Sequence, residues 1–304
     1  MKESRMFSLS VGPVQYYWTR KTLTDFYAMV ADSPASTVCL GEVVCSRRHE
    51  MKTEDWLSLG RELAQAGKEV VMGTQALIES EAELRTLRRG VEGGEFMMEA
   101  NDMAAVRKLA GGAPWVIGAH VNVYSDPALA EYVALGAVRW VPAVELSLDD
   151  IARVHRPHAQ TVACEVFAFG RMPLALSARC FTARHHHLQK DSCEFRCLDD
   201  PDGLMLKTRD GQAFLTLNGI QTQSAAVQCL LGHRQALMDA GVTRLRLSPC
   251  SQDFDRVLDL FDGVMNQGCS ASEAVSTLES LALPGPLSNG YVQAQRPGML
   301  WVSP

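Results

Sequence analysis

The sequence lacks any run of about 18 apolar residues, the length a helix needs to cross a bilayer. The nearest candidate, Tyr132 to Leu146, is broken by Arg139. Residues 1–18 hold no uninterrupted apolar stretch of the secretory kind, because Gly12 and Pro13 split a segment already diluted by Ser8 and Ser10. A cytoplasmic protein without a membrane span is the expectation. Basic charge is also short. With 29 Lys and Arg against 35 Asp and Glu, the net charge of -6 withholds the electrostatic term that drives non-specific nucleic-acid binding. There is no His-Glu-x-x-His and no Gly-x-Ser-x-Gly, so the helix-borne zinc pair of many metallopeptidases and the serine nucleophile elbow are both missing. Internal repeats, low-complexity tracts and linkers are absent too.

What is present is a globular balance: 304 residues, 47% hydrophobic and 21% charged, enough to build a large core. Short runs rich in Val, Ile and Phe alternate with amphipathic stretches, the pattern of a parallel sheet with crossover helices. The strands are expected at 7–11, 37–41, 69–74, 96–100, 115–119, 138–142, 161–169 and 244–248. Between them, Thr53 to Ala66 places Trp56, Leu57, Leu59, Leu63 and Ala64 largely on one helical face. Asp126-Pro127 and Ser147-Leu148-Asp149-Asp150 read as helix starts. Eight strand-helix units in a chain of this length predict a single (β/α)8 TIM-barrel-like domain spanning residues 1–304. The alternation fails once, over 171–241, which reads as a Cys-rich insertion after strand seven with a hairpin at Arg209-Asp210-Gly211 and one helix. Residues 284–304 read as a proline-containing tail or arm.

Nine cysteines is an odd number, and in a reducing compartment thiols serve as core hydrophobes, nucleophiles or metal ligands. Within the insertion Cys180, Cys193 and Cys197 fall at spacing C-x12-C-x3-C. Thiolates favour zinc, copper or iron-sulfur clusters, and the spacing alone does not separate zinc from iron-sulfur. A fourth ligand must come from elsewhere. Cys39, at the end of the second strand, belongs to the barrel face where the insertion emerges and is the first choice; Cys45, beyond the strand end, is the second. Cys164, Cys229, Cys250 and Cys269 sit on apolar patterns and read as core thiols. His185, His186 and His187 read as a solvated loop run.

The chain resembles the U32 peptidase-like family over nearly its whole length. The likeness is carried by Val-Gly-Pro-Val-Gln-Tyr-Tyr-Trp at 11–18, Leu-Gly-Glu-Val-Val-Cys-Ser at 40–46, Pro142 with Glu145, Ser-Ala-Arg-Cys-Phe-Thr-Ala-Arg at 177–184, and Leu-Asn-Gly-Ile-Gln-Thr at 217–222. The branch it resembles within that family acts in oxygen-independent ubiquinone biosynthesis. That resemblance implies a 4Fe-4S cluster on four cysteines matching Cys39, Cys180, Cys193 and Cys197. It also implies a heterodimer with a UbiU-like protein that hydroxylates the ubiquinone precursor ring without dioxygen. One departure fits this branch: Glu165, Phe167 and Gly170 follow the wider family pattern, but Pro173 stands where a cysteine is common.

Three other functions stay open at this point. They are hydroxylation of an RNA base, aided by a local basic patch at Arg85, Arg88 and Arg89; peptide hydrolysis; and a noncatalytic electron-transfer scaffold. Tyr16, Trp18, Glu42, His120, Asn122 and Glu145 lie near strand ends, where they line a substrate pocket, or else Tyr16 and Trp18 belong to the aromatic core and the others cap the barrel rim through hydrogen bonds. The tail around Pro284, Pro286 and Tyr291 to Trp301 is the expected partner contact.

Overall fold

The computed structural model describes residues 6–292. Strands and helices alternate as β1 (Ser8–Val11), α1 (Arg20–Asp32), β2 (Thr37–Leu40), α2 (Thr53–Gln65), β3 (Glu69–Gly73), α3 (Glu81–Gly93), β4 (Met97–Ala100), α4 (Met103–Leu109), β5 (Trp115–Ile117), α5 (Asp126–Ala134), β6 (Ala137–Trp140), α6 (Leu148–His155) and β7 (Ala163–Leu176). An excursion follows, with α7 (Phe181–His185), β8 (Leu204–Lys207), β9 (Ala213–Asn218), β10 (Gln221–Cys229) and α8 (Arg234–Asp239). The chain then returns through β11 (Arg244–Leu247), α9 (Phe254–Asn266), α10 (Ala271–Ser280) and β12 (Leu287–Ser288).

Strands β1 to β7 pair in sequence order and β11 joins β7 to β1, all in parallel, so eight strands close a (β/α)8 barrel. Each expected strand is found within a residue or two at its start. The seventh differs at its far end: β7 continues to Leu176 and takes in the first residues of the expected insertion. This extension pairs antiparallel with β10, which pairs with β9, and β9 with β8. The hairpin at Arg209-Asp210-Gly211 joins β8 and β9, with Gly211 at a φ of 84°. Just past the slip between β7 and β11, Gly170 takes a φ of 123°, and a Cβ there would come within 2.5 Å of the Ser248 Cβ.

Local chemistry sets the helix starts. Ser147 caps α6 by accepting from the Asp150 amide, as expected, whereas α5 is capped by Ser125 rather than Asp126. In α3, Ser80 and Glu83 form a reciprocal capping box.

The tail is a partial correction. Val227 donates its amide to the Pro286 carbonyl, Arg171 bonds the Pro284 carbonyl, and Leu148 donates to the Val292 carbonyl. β12 extends the sheet beside β10. Residues 284–292 therefore pack on their own barrel, and the rest of the arm, with Trp301, lies outside the described residues.

The barrel interior departs from the usual packing of branched aliphatic side chains. Arg139 on β6 reaches Glu69 on β3 at 2.6 Å and Glu165 on β7 at 3.4 Å. Arg246 on β11 bonds Glu165 at 2.7 Å and Glu99 on β4 at 2.5 Å, while Arg244 meets Glu69 at 3.0 Å. Pairs between non-adjacent strands of a closed barrel cross its inside, so alternating Arg and Glu form a ladder up the interior. Among the described residues, no helix is long and apolar enough to cross a membrane.

Candidate functional site: a thiol-lined recess beside the barrel mouth

Three of the four expected ligands meet at one place. Cys180 is the N-cap residue of α7, its sulfur accepting from the Ala183 amide at 3.4 Å. Cys193 and Cys197 follow on a loop of short 3-10 turns, and all three line one recess. Between them Glu194 and Phe195 both take left-handed backbone, with φ of 52° and 54°. Such residues rarely adopt this conformation, and two in succession turn the chain so that both flanking thiols face the recess. The Phe195 ring anchors this turn against Tyr17 and His49, at 5.6 and 5.0 Å between ring centres. Arg47 bonds the Asp191 carboxylate at 3.0 Å, and Lys190 pairs with Glu79, which ties the loop to the barrel rim.

The fourth thiol on the recess is Cys45, not Cys39. Cys45 belongs to the β2–α2 loop, where the Glu42 carboxylate accepts from the amides of Val44 and Cys45 at 3.0 Å each. It packs with Val43, Val44 and Ile220, and with Cys180 at the edge of that cluster. Cys39 lies lower, inside the barrel among Val71, Val116 and Val141, fully buried and with its thiol directed to Glu99. The reason is strand alternation: Thr37 and Cys39 face the interior of β2, so a residue at the strand end still points into the barrel rather than over its rim.

Arg48 closes the inner wall. It is 5% exposed, donates to the Gln15 carbonyl and the Asn218 side chain at 2.6 Å each, and pairs with Glu42 at 3.7 Å. Gly219 stands so close that a Cβ there would come within 3.1 Å of the Arg48 guanidinium. Burial pushes the Cys197 thiol up from its ordinary pKa, and the positive charge of nearby Arg48 opposes that rise. Burial likewise raises Cys45, opposed by the Arg47 amide and by Arg48. Burial raises Cys39 far more, consistent with its place in the interior.

Sulfur is the only ligand type in this set, as in four-thiolate zinc or iron-sulfur sites. Among the described residues no three His, Cys, Asp or Glu side chains converge as a single ion requires. The four thiols line the recess without such convergence. Arg47 and Arg48 each keep a buried Nε without a partner beside it, positive charge suited to an anionic four-thiolate cluster. The recess is narrow, a cavity of about 20 Å³.

The remaining candidates divide. Cys164, Cys229 and Cys250 are buried thiols, but Cys269 is exposed between α9 and α10 rather than part of the core. His185 and His187 are exposed and His186 half-buried, all outside the recess. Tyr16 and Trp18 stack in the core, and the Trp18 indole donates to the Pro201 carbonyl at 2.7 Å. Asn122 and Glu145 are exposed, the latter bonded by Tyr124. His120 lines a small depression at the barrel mouth with Glu99, Asn101, Pro173 and Arg246, and burial holds its imidazole below the ordinary value. Pro173 thus sits over the barrel, not on the thiol recess. Arg48 was missed as a site residue; its neighbour Cys45, within Leu-Gly-Glu-Val-Val-Cys-Ser, was the available signal.

A closed (β/α)8 barrel carrying a thiol-lined excursion after its seventh strand defines the class of this protein. The model of peptidase family U32 matches residues 20–295, and the chain belongs to that family. Among solved structures it is similar to the U32 peptidase Mk0906, with a TM-score of 0.46 and 11% identity over 82% of this chain and 95% of the other. It is also similar to the spore cortex-lytic enzyme SleL of Bacillus megaterium QM B1551, with a TM-score of 0.41 and 9% identity over 86% and 75%.

Proposed function

We propose that this protein is the iron-sulfur subunit, of the UbiV type, of an oxygen-independent hydroxylase acting on the ubiquinone precursor ring together with a UbiU-like partner. The observation that carries the reading is the gathering of Cys45, Cys180, Cys193 and Cys197 around one recess backed by Arg47 and Arg48. In this reading the fourth ligand of a 4Fe-4S cluster is Cys45, and the first choice, Cys39, is a barrel-interior thiol. The bound cluster supplies one-electron transfer. The chain's own residues hold and insulate it: Arg48 balances thiolate charge, Phe195 covers the Cys193–Cys197 turn, and Glu42 orders the loop that presents Cys45.

Hydrolysis of peptides finds less support. It requires an activated nucleophile or a metal with an open position and a base. The recess offers thiols flanked by arginines and, among its lining residues, no His, Asp or Glu to act as that base.

A deletion strain tests the reading through mass spectrometry of its quinones and its modified nucleosides together. Ubiquinone is expected to disappear in anoxic culture and to remain normal in air. Loss of an RNA nucleoside with quinones intact sinks the proposal, as does loss of ubiquinone in air.

A further inference from the structure

A cavity of about 270 Å³ lies between α2 and α3, against the outer faces of β3 and β4. Its walls are largely apolar, with Trp56, Met72, Leu87, Phe96 and Met98 among them. Its size approaches the roughly 300 Å³ at which small-molecule pockets begin, and voids beyond one water are few in a packed domain. The sequence leaves it open. Helix α3 buries only Leu87, and at Gly90 an added Cβ would meet nothing nearer than the Met98 methyl at 3.8 Å. No side chain projects from the helix at that point.

The two ends differ. Exposed Arg89 and Glu95 stand at the solvent side. Glu42, Ser46 and Arg48 also line the cavity, and Arg48 is a wall of the thiol recess as well. Arg48, 5% exposed and with its Nε unpartnered, is thus a wall shared by the apolar cavity and the thiol recess.

We propose that this cavity takes the hydrocarbon chain of the aromatic substrate, with the ring directed toward Ser46 and Arg48. The inference rests on the proposed function, since a polyprenylated phenol is a ring joined to such a chain. Apolar contact along Trp56, Met72, Phe96 and Met98 supplies affinity, and the polar end fixes direction. The chain could come from an isoprenoid or a fatty acid, and the test separates these.

Trp56 provides the signal. Iron-loaded full-length protein is titrated with geranylated phenol, with unsubstituted phenol and with decanoate, following tryptophan fluorescence against a Trp56→Phe control. Geranylated phenol is expected to give saturable quenching, at least about tenfold tighter than either other probe. Gly90→Leu fills the cavity with a residue that favours helix, so it is expected to weaken that binding about tenfold with iron content and melting temperature maintained. Equal binding of decanoate, or Gly90→Leu binding as well as the parent, overturns the inference. Complementation of the deletion strain keeps the two proposals apart. If the parent gene restores anoxic ubiquinone and Gly90→Leu does so equally, the chain site is wrong and the functional reading stands. If the deletion never lowers ubiquinone, the functional reading fails whatever the cavity binds.

Discussion

The buried Arg48 guanidinium and the Cys197 thiol line the same recess. This juxtaposition joins a cation on the β2–α2 loop to a thiol contributed after β7, across 149 positions of sequence. The positive charge opposes the burial that otherwise keeps Cys197 protonated, and ligation needs the thiolate. Replacing Arg48 with Met removes the charge, leaves Glu42 without its ion pair, and is expected to destabilise the fold by about 3 kcal/mol. Arg48→Lys keeps a charge but loses the fork that reaches both Gln15 and Asn218. The lysine variant should retain more iron than the methionine variant after desalting. Equal iron in both would show that Arg48 acts through packing alone.

Cys39 and Cys45 separate by location, and substitution should separate them by effect. Cys45→Ser is expected to lower iron and sulfide to background, because the serine sits on the recess but is a poor ligand for this metal set. Cys39→Ala should leave iron unchanged and cost about 1–2 kcal/mol through a small void among Val71, Val116 and Val141. Iron analysis with urea unfolding of both variants decides the matter. Loss of iron from Cys39→Ala alone would restore it as the ligand.

The barrel was legible because its signals are local and repeated: short β-branched runs, capping serines such as Ser147, and helical faces such as that of α2. The excursion was legible as a break in that rhythm, and its hairpin as a turn signal at Gly211. What could not be read was height. Cys39 and Cys45 are six positions apart, and only the alternation of β2, followed by the loop ordered on Glu42, decides which rises to the rim. Nor did the sequence expose the charge ladder, because Glu69, Glu99, Arg139, Glu165, Arg244 and Arg246 are scattered over strands that meet only on closure.

That ladder predicts how acid unfolds the protein. Burial pushes the Glu165 carboxyl up, but Arg246 and Arg139 more than offset it and hold it below the ordinary carboxylate range; Glu69 behaves alike, with Thr37, Arg139 and Arg244 opposing burial. A carboxylate depressed in the folded state contributes stability above its unfolded value, about 4.3 for Glu, and that stability is lost as pH falls below it toward the folded value. The urea midpoint should therefore begin to fall below about pH 6.5, where the unfolded chain protonates the histidines that burial keeps neutral in the fold, His120 and His233, and fall further below about pH 4.3 as the ladder carboxylates are lost. Glu165→Gln should shallow that further fall and, by unpairing buried arginines, cost about 3 kcal/mol at pH 7. An unchanged acid slope in the variant would place the pH sensitivity elsewhere.

The loop that carries Cys193 and Cys197 is tied down at its edge rather than at its core. Lys190 donates to the Ala178 carbonyl at 2.9 Å as well as pairing with Glu79, both partners half-buried, while Asp191 is held by Arg47 from an exposed position. Such partly solvated pairs contribute about 1 kcal/mol or less to global stability. Their effect on a local opening is proportionally larger, because no residue from Lys190 to Asp200 is fully buried. Lys190→Ala is accordingly expected to leave the urea midpoint nearly unchanged while iron passes to a chelator several-fold faster, an effect of about 1 kcal/mol on the opening equilibrium. Asp191→Ala should act in the same direction, more weakly, because its carboxylate is the more exposed. If both variants release iron at the parent rate while the midpoint falls, the pins hold the barrel and not the loop, and metal leaves the recess by another motion.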